Sequence, residues 1–429
     1  MSYLTRFKKY YSSNNFNGWI VFFCLLYIVL VLKYINFQNF DNNLLFGFYS
    51  FAVSGYLLSR FALAFYHSPD KKFDFNYLPT ITFGIPSKNE GDNIYKTIMK
   101  IVCSDYPKAN MNVIAINDGS TDHTLKEMYR AQKDAAKIGV RVKVVDWKIN
   151  RGKREGMAEC IKLSDREIII FIDSDSFVER NTARELVKYF TNSKIGAVAG
   201  HALVANEDEN ILTKMQAVQY FVSFKTFKAA ESLFGNVTCC SGCCAAYRRS
   251  YILDLLPTFT NQYFWGVKCT YGDDRSLTNL ILKKGLETVF SPTAISYTIV
   301  PNTVKSFMKQ RLRWKKSWTR ECWNAAKFMW RKNPIMSFSF YLSFLLPLIS
   351  PFIIIHSLIW YPLAKSEFPF AYILGLVIIN VIYGIYYFIF TKNKSWAAGG
   401  LALLVFTFIM IWQLPYAIAT LRDSRWGTR

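Results

Sequence analysis

The chain has 429 residues, which is long enough for two or three domains. Apolar residues make up 52% of it and aromatic residues 17%, which is high for a soluble enzyme, and the most apolar stretches lie at the two ends. Lysine and arginine outnumber aspartate and glutamate by 52 to 30, but no nucleic-acid-binding module is recognisable, so we expect no nucleic-acid partner. Basic loops beside membrane spans, and a basic surface facing membrane lipids, account for the charge. Nine scattered cysteines, an odd number, predict no structural disulfide.

Two apolar runs near the start predict an N-terminal transmembrane hairpin within residues 1–69. The first covers 19–35 and the second Leu44–Tyr66. The second run and the lack of a small-residue cleavage site argue against a cleavable signal peptide. Basic residues flank the pair at Lys8-Lys9 and Lys71-Lys72, so both ends of the hairpin are predicted to lie in the cytoplasm.

Residues 70–301 contain no span and alternate between strand and helix patterns. The predicted strands are Thr80–Ile85, Asn112–Ile116, Val142–Val145, Ile168–Ile172 and Ala197–Gly200. The predicted helices include Asp92–Cys103, His123–Lys137 and Lys153–Lys162. This alternation predicts a cytosolic α/β domain with a mostly parallel, nucleotide-binding type of sheet.

The remaining third of the chain predicts association with a membrane. Residues 302–334 interleave lysine and arginine with tryptophan, which is typical of amphipathic helices in the membrane interface. Residues 335–421 hold three long apolar runs, predicted as transmembrane helices: Ser337–Leu363, Phe370–Phe390 and Ala397–Leu421. Three crossings would place the tail, residues 422–429, outside the cell, whereas a broken or re-entrant segment at a proline or glycine pair would keep it inside.

Two carboxylates follow the apolar run of the fourth predicted strand. Asp173 and Asp175 are separated by one residue where that strand should end. Ligands of α/β sheets bind beyond the carboxyl ends of the strands, and hard oxygens at this spacing suit Mg²⁺ or Mn²⁺ shared with a substrate diphosphate. An isolated pair of this kind could equally be a solvated turn.

Other strand ends add candidate substrate-binding residues. Pro86 and Glu90 follow the first strand and Asp118 follows the second, where a carboxylate can hold the uracil or ribose of a nucleotide. Helix capping is the competing interpretation of Asp118. Lys153 and Arg154 open a helix after a glycine turn, an arrangement that suits a diphosphate.

A second acidic cluster and a later motif supply candidate catalytic residues. Asp273 and Asp274 stand together, and Asp274 is the predicted base that deprotonates an acceptor hydroxyl, with Arg275 ordering it or pairing with it structurally. Gln-x-x-Arg-Trp follows at residues 310–314. Gln310 and Arg313 lie one helical turn apart and could grip a leaving diphosphate, while Trp314 offers a flat surface to a sugar ring.

In this order and with flanking spans, these motifs resemble the processive family 2 glycosyltransferases, which include cellulose, chitin and hyaluronan synthases. The resemblance is closest to hyaluronan synthases, because Gly272–Asn279, Lys309–Ser317 and Trp426–Arg429 are similar to their acceptor-site, interfacial-helix and C-terminal motifs. It implies a GT-A catalytic domain fused to transmembrane helices in the plasma membrane. It also implies the donors UDP-GlcNAc and UDP-GlcA, Mg²⁺ or Mn²⁺, and a growing polysaccharide that leaves through the enzyme's own channel.

The resemblance also implies roles for single residues. Asp118 and Lys153 would contact UDP, Asp173 and Asp175 would hold the metal diphosphate, and Asp274 would be the base. Gln310, Arg313 and Trp314 would line the donor and acceptor site. Trp426 and Arg429 would fold back to the nucleotide, which requires a cytosolic C-terminus.

The chain departs from the family pattern at two places. Cys240 aligns with the cysteine of the family's priming loop, but the loop's proline is replaced within Cys239–Cys244. We do not expect zinc there, because adjacent thiols on one strand point to opposite faces. Asn117 stands where the family often has a first aspartate, so the resemblance does not carry over one uridine contact.

Two alternative functions and the oligomeric state stay open at this point. A chitin-type or other capsular polysaccharide synthase would use UDP-GlcNAc alone or another sugar pair. A transporter or scaffold with a degenerate transferase domain is disfavoured, because every expected carboxylate except that at Asn117 is present. The protein would act as a monomer or a homodimer.

Overall fold

The computed structural model describes residues 20, 23–24, 26–31, 34–35, 44–68, 73–399, 405 and 411–424. The predicted cytoplasmic anchors Lys8-Lys9 and Lys71-Lys72, the tail residues Trp426 and Arg429, and much of the first hairpin run lie outside these residues.

An eight-stranded sheet forms the centre of the described chain. Its strands and those of a separate two-stranded ribbon are β1 (Ile81–Ser87), β2 (Met111–Asp118), β3 (Arg141–Trp147), β4 (Ile168–Phe171), β5 (Ser176–Val178), β6 (Ile195–Val204), β7 (Ala245–Arg248), β8 (Tyr263–Phe264), β9 (Val267–Lys268) and β10 (Glu287–Thr298). The order in the main sheet is β3-β2-β1-β4-β7-β6-β10-β5, with β7 antiparallel to both neighbours and β5 antiparallel to β10. The other neighbours run parallel, so the predicted mostly parallel α/β sheet is confirmed.

The helices surround this sheet and extend away from it. They are α1 (Leu44–Tyr66), α2 (Asp92–Val102), α3 (Thr124–Lys137), α4 (Lys153–Leu163), α5 (Thr182–Val187), α6 (Ile211–Val222), α7 (Ala229–Ser232), α8 (Arg249–Ile252), α9 (Leu256–Thr260), α10 (Asp273–Lys283), α11 (Val304–Met329), α12 (Pro334–Ile355), α13 (Tyr361–Lys365), α14 (Phe370–Thr391) and α15 (Gln413–Ala419). A π-helical turn, Ser223–Lys228, joins α6 to α7. Within the basic and aromatic stretch 302–334, Val304–Met329 form one helix, α11, rather than a pair.

The apolar run that precedes Asp173 is buried because helices cover both faces of the sheet. Alternate side chains of a strand point to opposite faces. Ile168, Ile170 and Ile172 accordingly join one core cluster, and Ile169 and Phe171 join the other. The strand end is therefore fixed from both sides, and with it the carboxylates that follow.

Three of the described helical segments are long and apolar enough to cross a membrane: Gly47–Tyr66, Pro334–Lys365 and Tyr372–Thr391. Side chains of α1 and α14, such as Phe61 and Tyr386, pack in one cluster with Phe221 of α6. The candidate spans thus rest directly on the sheet domain.

The last apolar run, 397–421, contacts the sheet-domain side at both of its described ends. Ala398 packs against Met215 of α6. Gln413 donates from Nε2 to the backbone carbonyl of Met308 in α11 at 3.3 Å. Both described ends of this run therefore lie against α6 or α11.

Candidate active site

One cavity of about 1470 Å³ lies beyond the carboxyl ends of β1, β2 and β4 and reaches α10 and α11. It is lined by most of the residues that the motifs nominate: Pro86, Asp118, Lys153, Arg154, Asp173, Asp175, Asp273, Asp274, Arg275, Gln310, Arg313 and Trp314. Residues distant in the sequence therefore meet here because the topology brings the strand ends and two helices together.

Two of the predicted substrate-binding residues lie behind the cavity wall. Glu90 is 7% exposed and accepts a hydrogen bond from the Ser174 hydroxyl at 2.8 Å. Cys240 is fully buried in the apolar core, and its backbone N–H donates to Thr278 Oγ1 at 3.0 Å. Both side chains support the wall from inside.

Asp118 holds the loop that leads into α4. Its two carboxylate oxygens accept hydrogen bonds from the backbone N–H groups of Arg151 at 2.6 Å and Gly152 at 2.9 Å. This geometry resembles helix capping, because the carboxylate accepts hydrogen bonds from backbone N–H groups just before α4 begins. Asp118 also lines the cavity, so the same carboxylate shapes the loop on which a nucleotide would rest.

Lys153 and Asp173 form an ion pair in the cavity wall. Burial alone would lower the pKa of Lys153, but the charge and hydrogen bond of Asp173 raise it above its ordinary value. Gly242 passes closely over this pair, because a Cβ at that position would lie 2.9 Å from Lys153 Nζ and 3.0 Å from Asp173 Oδ1. The absent side chain leaves room for both charged groups.

Asp175 lies in the same wall. Its burial, followed by the charge of Asp173, raises its pKa well above the usual range. The positive charge of Lys153 offsets only part of the negative charge of these two carboxylates, which leaves a place for further positive charge. A hard divalent cation would supply it, so this oxygen pair fits Mg²⁺ or Mn²⁺. The described residues contain no group of three His, Cys, Asp or Glu side chains that could hold a metal ion by themselves.

Asp274 lies in the first turn of α10 and lines the same cavity. The helix starts at Gly272, whose left-handed conformation (φ 82°) and close contact with Ser317 suit glycine alone. Asp274 Oδ1 accepts from the backbone N–H of Arg275 at 2.9 Å, and Oδ2 lies 3.5 Å from the Cys239 thiol. The carboxylate is half-buried and faces the cavity, as a base that meets an acceptor must.

The neighbouring Asp273 is placed differently. It is 4% exposed and pairs with Arg154 Nε at 2.9 Å, and Arg154 in turn donates to Gln262 Oε1 at 2.7 Å. The sequence predicted a catalytic role for Asp273 and a diphosphate contact for Arg154. In the structure these two side chains bind each other and join α4 to α10.

Gln310, Arg313 and Trp314 project from α11 into the cavity. The amide oxygen of Gln310 is buried and makes no hydrogen bond within the described chain. Burial lowers the pKa of Arg313. The negative charges of four aspartates act in the opposite direction and raise it: Asp173, Asp273, Asp274 and Asp175. Arg313 therefore lies within reach of both acidic clusters, and Trp314, 38% exposed, offers a ring face beside it.

Some cavity residues were missed by sequence reasoning. Lys228 and Ser241 hydrogen-bond each other in the wall, and Cys239 touches Asp274. Lys315 also lines the cavity, beside Arg311. Burial, followed by the positive charge of Arg311, lowers the pKa of Lys315 to about 8. For Lys315, the only sequence feature that pointed to a role was its position in the basic stretch 302–334. No local sequence pattern predicted that Lys228 would line the cavity.

The described chain ends beside the cavity. The Thr270 hydroxyl hydrogen-bonds the carbonyl of Ser424, and the Tyr271 hydroxyl bonds that of Asp423 at 3.0 Å. Ser424 itself lines the cavity. The predicted tail residues Trp426 and Arg429 follow within five positions, outside the described residues.

A mostly parallel sheet with carboxylates at its strand ends, one large cavity beyond them and apolar helices alongside is the architecture of a GT-A fold joined to candidate membrane helices. Residues 82–256 match the family model described as Glycosyl transferase family 2. This match and the relatives described next confirm the resemblance stated from the motifs.

Individual relatives extend this similarity over nearly the whole chain. Hyaluronan synthase of Streptococcus pyogenes is 28% identical over 421 residues, which is 96% of this chain and 98% of that protein. An N-acetylglucosaminyltransferase of Azorhizobium caulinodans is 28% identical over 82% of this chain and 87% of its own length. The solved structure of a mannosyltransferase from Pyrobaculum calidifontis, in complex with GDP-Man and Mn²⁺, has a TM-score of 0.60 at 20% identity and covers 89% of this chain and 98% of its own. That likeness shows the shared fold.

Proposed function

We propose that this protein is a processive membrane polysaccharide synthase of the hyaluronan synthase type, which transfers GlcNAc and GlcA from their UDP derivatives to a growing β-linked glycan. The observation that carries the proposal is the shared cavity of Asp173, Asp175, Arg313 and Asp274. Leaving-group contacts and a base on facing walls are what a single in-line displacement requires.

In the proposed reaction the Asp274 carboxylate removes the proton from the acceptor hydroxyl. The hydroxyl oxygen then bonds to the anomeric carbon from the face opposite UDP, the bond from that carbon to UDP breaks, and the configuration inverts. Lys153 and Arg313 face the diphosphate and offset the negative charge that develops on it. Trp314 holds the acceptor sugar by its ring face, and Gln310 offers its unpaired amide oxygen to a sugar hydroxyl.

The proposed metal site is the pair Asp173 and Asp175. Bound Mg²⁺ or Mn²⁺ would supply positive charge to the departing diphosphate. These two carboxylates would hold the metal, and Lys153, which pairs with Asp173, would contact the diphosphate beside it.

The proposed setting is the plasma membrane, crossed several times, with the catalytic domain in the cytosol. The candidate spans pack on the sheet domain, and a polar polymer cannot cross hydrocarbon unaided, since each unpaired hydroxyl costs about 2 kcal/mol or more. A channel through the protein's own helices would avoid that cost. The contacts of Asp423 and Ser424 support a cytosolic tail that reaches the nucleotide.

The test uses purified protein in vesicles with UDP-GlcNAc, UDP-GlcA or both, and Mn²⁺ or Mg²⁺. We expect a polymer only when both donors are present, and expect hyaluronidase rather than chitinase to digest it. No turnover of any UDP-sugar would contradict the proposal as a whole.

The second candidate function is a chitin-type synthase that uses UDP-GlcNAc alone. Its support is the similarity to N-acetylglucosaminyltransferases, which matches that to hyaluronan synthases in identity. A chitinase-sensitive product from UDP-GlcNAc alone, unchanged by UDP-GlcA, would select it.

A further inference from the structure

The Cys239 thiol touches the carboxylate proposed as the base. Its Sγ lies 3.5 Å from Asp274 Oδ2, in a position to donate, while the backbone N–H of Arg275 donates to Oδ1 at 2.9 Å. Each carboxylate oxygen thus receives one hydrogen bond. Because each oxygen has two lone pairs, each keeps one that can accept a hydrogen bond from an acceptor hydroxyl.

The backbone on both sides of Cys239 is fixed by buried hydrogen bonds. Before it, the Glu231 carboxylate accepts from Thr238 through the backbone N–H at 2.9 Å and the hydroxyl at 3.1 Å. After it, the backbone N–H of Cys240 donates to Thr278 Oγ1 at 3.0 Å. The Thr278 hydroxyl donates in turn to the Asp274 carbonyl at 2.6 Å, which ties the loop to the same helical turn that carries Asp274.

The thiol is a proton donor at neutral pH. Burial, followed by the charge of Asp274, raises the pKa of Cys239 to about 11. The group therefore stays as S–H and does not compete with Asp274 for negative charge.

We propose that Cys239 is a positioning residue, whose thiol orients the Asp274 carboxylate toward the acceptor hydroxyl by an S–H···O hydrogen bond. The inference rests on the proposed function, because it assigns Cys239 a task only if Asp274 is the base. Because a thiol is a weak hydrogen-bond donor, we expect Cys239 to affect the orientation of the Asp274 carboxylate rather than the affinity for substrate.

Three variants test this: Cys239→Ala, Cys239→Ser and Cys322→Ala. Cys239→Ala removes the hydrogen bond, and we expect kcat for sugar transfer to fall about tenfold, a part of the 10²- to 10⁴-fold that a well-placed base contributes. KM for the UDP-sugars and the affinity for UDP, measured by calorimetry, should stay at the wild-type values. Cys239→Ser keeps a donor and should restore kcat to within about threefold of wild type. Cys322→Ala removes a buried thiol from the apolar cluster between α11 and α12 and should leave kcat unchanged.

Several results would overturn the proposal. If Cys239→Ala kept full kcat while Asp274→Asn was inactive, the thiol would have no positioning role. If Cys239→Ser were as slow as Cys239→Ala, or if UDP affinity fell in parallel with kcat, the loss would be structural. Failure of the proposed function looks different, since wild-type protein would then transfer no sugar or Asp274→Asn would remain fully active.

Discussion

The two walls of the cavity are built in different ways. The donor wall, Asp118, Lys153, Asp173 and Asp175, stands at the ends of parallel strands whose side chains are buried in two core clusters. The acceptor wall, Asp274, Gln310, Arg313 and Trp314, stands on helices α10 and α11. Helix α10 packs into one of these clusters with Leu277 and Ile281, and the Arg154–Asp273 ion pair also joins it to the sheet domain. The sheet therefore fixes the positions of the donor-wall carboxylates, whereas the position of Asp274 depends on how α10 and α11 pack.

Asp273 and Asp274 show what this difference teaches. They are adjacent in sequence, yet Asp273 is buried against Arg154 and Asp274 faces the cavity. One residue therefore holds the acceptor wall in place and the next is free to act on an acceptor. The following predictions test the two walls separately.

On the acceptor wall, Asp274→Asn should have the largest effect. Removing the base should lower polymer synthesis by about 10³-fold, within the range for general base catalysis. UDP affinity should be preserved, because the donor wall is untouched. Radiolabelled sugar incorporation in vesicles measures the first quantity, calorimetry the second, and full polymer output from the variant would remove Asp274 from the mechanism.

On the donor wall, Asp175→Asn should lower transfer by about 100-fold, since the leaving diphosphate loses part of its electrostatic support. Activity of the wild type should also disappear with EDTA and return with Mn²⁺ or Mg²⁺. Asp165→Asn, which changes a carboxylate exposed at the surface, serves as the matched control. Metal-independent activity in the wild type would contradict the metal assignment.

The docking of the acceptor wall can be tested through its buried ion pair. Arg154→Met leaves Asp273 buried without its partner, which should cost about 3–5 kcal/mol of unfolding free energy. Lys284→Met breaks an ion pair of similar length, 2.8 Å, whose Asp254 is 62% exposed, and should cost about 0–1 kcal/mol. Thermal unfolding in detergent compares the two, and equal losses would show that burial of the Arg154–Asp273 pair is unimportant.

The smallest expected effect is a pH dependence from Lys315. Its pKa is lowered to about 8 by burial and by Arg311, so the side chain is charged at pH 7 and mostly neutral at pH 9. KM for the UDP-sugar should rise about threefold over that interval, the size expected for a partly screened charge. Lys315→Arg stays charged throughout and should flatten the dependence, whereas an equally steep rise in that variant would assign the effect to another group.

Much of the donor wall could be predicted from the sequence, since a strand end followed by carboxylates is a local pattern. All five predicted strands form. Four of them are apolar and almost entirely buried, whereas β3 lies at the sheet edge and is partly exposed. The antiparallel β7 and the short β5 were not predicted, since their pairing partners are distant in sequence.

The sequence by itself determined the fold class, the order of the motifs and the types of residue that meet in the cavity, because periodicity and strand-end chemistry are local. Only the tertiary structure decided that Arg154 pairs with Asp273, that Glu90 and Cys240 lie behind the wall, and that Cys239 touches Asp274. Those outcomes depend on contacts between segments 35 to 119 residues apart, such as Cys239 with Asp274 and Arg154 with Asp273, which no local pattern specifies.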